Sequence, residues 1–211
     1  TTEVAKAAHV SLAIKHEVDI LWIGARTTGN PFAIQEIAEA LKGINIPVMV
    51  KNPINPELNL WIGAIERLKD AGIENIAAIN RGFFAYENSK YRNTPQWQIA
   101  VDLKRKFPTI PIICDPSHIS GKSNLIYEVA QKAMDLNYDG LMIETHIDPA
   151  NALSDSQQQI TPPKLDEILA NLVIRSFETE DKNFKASLNQ LRIQIDDLDI
   201  ELIDVLKRRM E

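Results

Sequence analysis

The 211-residue chain carries 23 lysines and arginines against 29 aspartates and glutamates, for a formal charge of −6. This balance argues against nucleic acid or an anionic membrane as a partner, and 45% hydrophobic with 25% charged residues is the make-up of a folded chain, not a disordered one. The one cysteine, Cys114, excludes a disulfide framework or a thiolate-rich metal cluster and fits a reducing, cytoplasmic setting.

In chain order, residues 1–4 read as the end of a strand, and their TTEV start lacks both Met and a basic leader, so the chain reads as a fragment. No apolar run approaches the roughly 20 residues of a membrane span. Short runs rich in β-branched residues follow: ILWIGA at 20–25, PVMVK at 47–51, IAAINRG at 76–82, PIICDPS at 111–117 and GLMIETH at 140–146. Each is too short for a buried helix and reads as a strand buried on both faces. Between them lie helical stripes: Ile34, Ile37, Ala38 and Leu41; then Leu60, Ala64, Ile65 and Leu68; then Ile126, Val129, Ala130, Ala133 and Met134. Asn30-Pro31 is an N-cap followed by Pro at the first helical position. Strand and helix alternating at roughly 30-residue intervals predict a parallel α/β fold.

The strand ends decide which one. Each run is apolar until its C-terminal end, where Arg26, Lys51, Arg81, Asp115 with His118, and Glu144 with His146 appear. In a (β/α)8 TIM barrel these ends converge on one mouth, whereas a doubly wound sheet gathers its site at one switch point. The reading is a TIM barrel of about six units over 1–176, two short of closure on the N-terminal side. A polar linker at 177–186 follows. A helix over 187–211 then carries Leu188, Leu191, Ile195, Leu198, Leu202 and Val205 at heptad-like spacing, suited to a bundle or coiled coil.

Arg26, Lys51 and Arg81 come from successive strand ends, and convergent cations in an acidic protein imply a substrate with phosphate, or phosphate and carboxylate. Thr27, Thr28 and the helix starting near Pro31 are candidate neutral donors to the same anion. The competing interpretation is a ring of structural ion pairs with Asp115 and Glu144. His118, Glu144 and Asp155 offer one imidazole and two carboxylates, a set suited to a divalent cation, with His146 as a rival for His118. The SDSQQQ segment around Asp155 also reads simply as a turn that caps a helix. Cys114 reads as a buried small hydrophobe, Trp22 and Trp61 as packing, and Tyr91-Arg92 as a lid or a solvated loop.

Taken together, IGARTT at 23–28, PVMVKN at 47–52, NRGF at 80–83, DPSHISGK at 115–122 and GLMIETH with ALSDSQQ across 140–158 resemble 3-deoxy-D-arabino-heptulosonate 7-phosphate (DAHP) synthases. The tail LRIQIDDLDIELIDVLKRRM at 191–210 is similar to the first helix of the all-helical chorismate mutases. The resemblance implies condensation of phosphoenolpyruvate with erythrose 4-phosphate, fused to a mutase acting on chorismate to give prephenate. It implies Arg26, Thr27, Lys51, Arg81 and Asp115 as substrate-binding, Lys51 and His118 as catalytic, and Arg192 and Arg209 as mutase contacts. It further implies that His118, Glu144 and Asp155 hold a divalent ion, Mn²⁺ first, then Fe²⁺, Co²⁺ or Zn²⁺, in a homo-oligomer. A fourth metal-ligating cysteine on the first strand and a Lys-Pro-Arg-Thr segment, both expected in that family, are not in this sequence, so weak or no turnover is expected of this chain alone. The alternatives are a 3-deoxy-manno-octulosonate 8-phosphate synthase, which takes arabinose 5-phosphate, and a non-catalytic oligomerising or regulatory module.

Overall fold

The β-branched runs form six short strands: β1 (Thr2–Val4), β2 (Leu21–Ile23), β3 (Val48–Lys51), β4 (Ile76–Asn80), β5 (Ile112–Cys114) and β6 (Gly140–Leu141). The structure is a computed structural model, and it describes residues 1–87, 89–175 and 182–210. The strands pair strictly in chain order, and every pair is parallel. A doubly wound sheet reverses its order at a switch point; this one does not, so it has the winding of a partial (β/α)8 barrel. The helices between strands are α1 (Ala7–Lys15), α2 (Ala25–Thr28), α3 (Pro31–Leu41), α4 (Leu58–Asp70), α5 (Trp97–Lys106), α6 (Pro116–Ser120) and α7 (Ile126–Asp135), with α8 (Pro162–Asn171) after β6.

The chain divides into two compact units, Thr1–Ile174 and Arg175–Glu211. In the first, the strands and helices share one core. Leu21, Ile23, Val48, Val50 and Ala78 on the sheet are fully buried with Ile34, Ile37, Leu41, Trp61, Ile65 and Leu68 on α3 and α4. The Trp61 indole N–H donates to the Val50 carbonyl at 3.1 Å, so this side chain is packing, as its sequence suggests. The expectation of strands buried on both faces needs correction. Glu3, Trp22, Met49 and Ala77 stand in register across β1 to β4, and none of the four is buried, while both sequence neighbours of Trp22, Met49 and Ala77 are. These side chains mark a face of the sheet that the described helices of this unit leave part-exposed.

The last run also departs from expectation. Only Gly140 and Leu141 join the ladder. The Met142 amide still donates to the Cys114 carbonyl at 2.8 Å, and the chain then pairs with a later segment: Thr145 bridges Ile160, and the His146 amide donates to the Ile160 carbonyl at 2.9 Å. That detour carries Glu144 to the mouth beside α6, where its amide donates to the Ser117 hydroxyl at 3.0 Å.

In the second unit, α9 (Lys182–Met210) is a single 29-residue helix. It begins inside the stretch expected to be linker, and the rest of that stretch, 177–181, lies outside the described residues. Leu191, Ile195, Leu198, Leu202 and Val205 are all exposed, because one helix offers nothing within its own unit to cover an apolar stripe.

Candidate active site

Each candidate side chain follows the C-terminal end of a strand. Arg26 lies in α2 after β2, Lys51 ends β3, Arg81 follows β4, His118 lies in α6 after β5, and Glu144 follows β6. Arg26, Lys51, Arg81, His118 and Asp155 line one cavity of about 320 Å³, together with Glu3, Trp22, Arg92 and Asn93. A larger groove of about 780 Å³ runs along Tyr127, Lys164 and Ile168, but its one lysine is paired with Glu167 at 2.7 Å. The reactive groups converge on the smaller space.

The cationic wall is rigid. Lys51 is 4% exposed; its Nζ meets Asp115 Oδ2 at 2.8 Å and sits 4.4 Å from the Trp22 ring centre. Trp22 is therefore a platform under a cation and not only packing. Arg81 is aimed by two buried asparagines. Asn52 Oδ1 accepts from the Arg81 amide at 2.7 Å, and its Nδ2 donates to the Gly82 carbonyl at 2.9 Å. Asn80 Oδ1 accepts from the Gly82 amide at 3.0 Å, while its Nδ2 donates to the Tyr138 hydroxyl at 2.9 Å. Arg81 Nη1 then donates to Asn93 Oδ1 at 3.0 Å. Burial lowers the proton affinity of Arg81; Asp115 opposes this, and the nearby Arg92 and Arg26 push the same way as burial. Several arginines crowding one cavity against their mutual repulsion make a site that an anion would relieve.

The metal-ligand candidates lie beside that wall, with His118 and Lys51 meeting the same Asp115 oxygen. One donor atom from each of His118, Glu144 and Asp155 lies within 4.8 Å of the other two. Ligand bonds of about 2.1 Å put the donors of a tetrahedral ion about 3.4 Å apart, so this set needs to close by up to about 1.4 Å to hold a divalent ion. The donor chemistry fits as well. His118 Nε2 faces Glu144 Oε1 at 3.7 Å, while its Nδ1 backs onto Asp115 Oδ2 at 2.9 Å. That contact is close but poorly aligned, and this buried nitrogen has no true hydrogen bond. His146 is engaged elsewhere: its Nδ1 accepts from the Asp148 amide at 3.0 Å, in a turn outside this cluster.

Three expectations change. Asp115 does not face the cavity as a substrate ligand. It is 1% exposed beneath Lys51 and His118, and its Oδ1 caps α6 by accepting from the His118 amide at 3.0 Å. Burial pushes its carboxyl up, but His118 and Lys51 outweigh that and hold it below the usual carboxylate range. Thr27 is not among the residues lining the cavity, and the buried Thr28 hydroxyl donates to the Gly24 carbonyl at 3.1 Å. The first amides of α3 are also committed, since Asn30 Oδ1 accepts from Phe32 and Ala33 at 3.1 and 3.3 Å.

The model of the DAHP synthetase I family matches residues 1–180. The chain belongs to this family. It is 31% identical over 142 residues to a phospho-2-dehydro-3-deoxyheptonate aldolase of Thermotoga maritima, an alignment covering 67% of this chain and 40% of that protein. It is 28% identical over 191 residues to a 2-dehydro-3-deoxyphosphooctonate aldolase of Helicobacter acinonychis, covering 82% and 67%. Among solved structures, a truncated 3-deoxy-D-arabino-heptulosonate 7-phosphate synthase from Thermotoga maritima superposes with a TM-score of 0.70 at 26% identity, covering 80% of this chain and 62% of that one. The chain therefore spans less than two thirds of the two Thermotoga relatives.

Sequence reasoning left Arg92 undecided and passed over Asn93, Asn52 and Gln158 in this DAHP synthetase I chain. Arg92 Nη1 donates to Asp155 Oδ1 at 2.7 Å and to Gln158 Oε1 at 2.8 Å. The Arg92–Asn93 segment is seated by two glycines with positive φ: a Cβ on Gly121 (φ +65°) would lie 2.4 Å from the Arg92 Cβ, and one on Gly82 (φ +77°) 2.8 Å from Asn93. Those glycines were the available signal, since no side chain fits where the loop crosses.

Proposed function

We propose that this chain carries most of a site for condensing phosphoenolpyruvate with erythrose 4-phosphate to give the seven-carbon keto-acid phosphate and inorganic phosphate. The observation that supports it is one cavity that pairs a cationic wall (Arg26, Lys51, Arg81) with His118 and Asp155, two members of a His/Glu/Asp cluster that Glu144 completes from beside His118. Arg26, Lys51 and Arg81 neutralise the phosphate and carboxylate of phosphoenolpyruvate and fix its face toward the aldehyde. Lys51, buried against Asp115, keeps its charge at one point on the wall. C3 of the enolpyruvate bonds to the aldehyde carbon, water adds at C2, and phosphate leaves by C–O cleavage. His118, Glu144 and Asp155 would hold a divalent ion, Mn²⁺ first with Fe²⁺, Co²⁺ or Zn²⁺ as alternatives, and such an ion supplies Lewis-acid polarisation of the aldehyde oxygen.

A second reading, the eight-carbon synthase that takes arabinose 5-phosphate, draws on the Helicobacter relative, which aligns with more of the chain at lower identity. The decisive assay follows phosphoenolpyruvate loss in the whole protein with each aldose phosphate, with Mn²⁺ or EDTA. Loss with erythrose 4-phosphate that EDTA stops is the expected outcome; preference for arabinose 5-phosphate replaces the first reading with the second.

For α9 we infer a mutase-type helix, on the strength of its heptad stripe and of Arg192 and Arg209, both exposed. Its ligands would be chorismate and prephenate. The reading of a cytoplasmic homo-oligomer accompanies the same family assignment. No helix among the described residues is long and apolar enough to cross a membrane.

A further inference from the structure

Gln158 is 1% exposed, in a single 3₁₀ turn (Ser156–Gln158) just after Asp155. A buried primary amide must satisfy donors and acceptor alike, and this one does so between two groups of the site. Its Nε2 donates to Glu144 Oε2 at 2.8 Å, and its Oε1 accepts from Arg92 Nη1 at 2.8 Å. Only this orientation of the amide works, since a carboxylate lies on one side and a guanidinium on the other. The same Arg92 nitrogen reaches Asp155 Oδ1 at 2.7 Å. Glu144 and Asp155 are therefore linked through Gln158 and Arg92. One oxygen of Glu144 is tied back, and Oε1 is left facing His118 Nε2 at 3.7 Å.

Two carboxylates drawn toward one point repel each other, and without a link their side chains would splay. Asp155 is further constrained by a left-handed backbone, φ +48°, uncommon for a residue other than glycine. We infer that Gln158 is a positioning residue that sets the spacing of Glu144 and Asp155 for a divalent cation, acting through Arg92 without touching the ion itself. This rests on reading His118, Glu144 and Asp155 as the metal ligands.

The test is Mn²⁺ binding to the full chain, read from the free-ion electron paramagnetic resonance signal, with no turnover required. Gln158→Met keeps the volume and loses both bonds; Gln158→Asn keeps a buried amide too short to span the gap and covers the case in which the first variant does not fold. Gln157→Met, at the exposed neighbour, is the control. Loss of outer partners of metal ligands typically costs about tenfold to a hundredfold in affinity, and that weakening is expected for both Gln158 variants. Phosphoenolpyruvate affinity of the metal-free protein, which is reached from Gln158 only through Arg92, should change far less than Mn²⁺ affinity, whereas a merely structural role would lower both alike. Wild-type affinity for Mn²⁺ in a folded Gln158 variant overturns the inference alone. Failure of the unaltered chain to bind Mn²⁺, or His118→Ala binding it as well as wild type, overturns the ligand reading and the inference with it.

Discussion

The two walls of the cavity are built on different terms. The cationic wall stands on buried groups: Lys51 and Asp115 are 4% and 1% exposed, and Asn52 and Asn80 are fully enclosed. The metal-ligand side stands on part-exposed carboxylates, Glu144 and Asp155, steadied by Gln158 and Arg92. A permanent anion site can be assembled during folding as part of the core, because its charges are paired in place. A cation site made of like-charged ligands cannot be, since burying them without the ion would be costly. Folding energy is thus concentrated on one side and ligand energy on the other.

Substitutions can break this contrast. Lys51→Met should be the most damaging, because it leaves Asp115 as a buried charge with its nearest cation gone. A loss of about 3–5 kcal/mol is expected, read by urea denaturation, together with loss of phosphoenolpyruvate binding. Asn52→Leu strands the Arg81 amide and the Gly82 carbonyl and should cost about 1–3 kcal/mol, with weaker phosphoenolpyruvate binding by calorimetry. Asp155→Ala removes an ion pair that is largely solvent-exposed and should change stability by no more than about 1 kcal/mol while Mn²⁺ affinity falls. If Asp155→Ala proved as destabilising as Lys51→Met, the division between the walls would be lost.

The architecture was largely legible because strand and helix leave opposite periodicities, and because charges at strand ends can only gather at one mouth. The residues Arg26, Lys51, Arg81, His118 and Glu144 could be nominated on that basis, and Asp155, in the following loop, as a third member of a ligand set with His118 and Glu144. Asp115 was misplaced for a physical reason: a carboxylate at a strand end looks the same in sequence whether it faces a ligand or is clamped beneath a lysine. Thr28 failed similarly, since its hydroxyl's partner, the Gly24 carbonyl, is set by a local turn. Arg92, Asn93 and Gln158 lie in irregular segments without periodicity, and they reach the site through close crossings at Gly82 and Gly121. The short β6 was overestimated because its apolar run continues past the point where the backbone changes partner to Ile160.

The position of Trp22 has an optical consequence. The chain has three tryptophans; Trp61 is sealed in the core, and Trp97, on α5, packs edge-on against Tyr138. Trp22 alone lies beneath the Lys51 ammonium, half-exposed at the cavity wall. Any ligand that draws on that ammonium changes the field across this indole and the water against it. The cavity carries its own fluorophore, and filling it can be followed by emission from a native residue with no label attached.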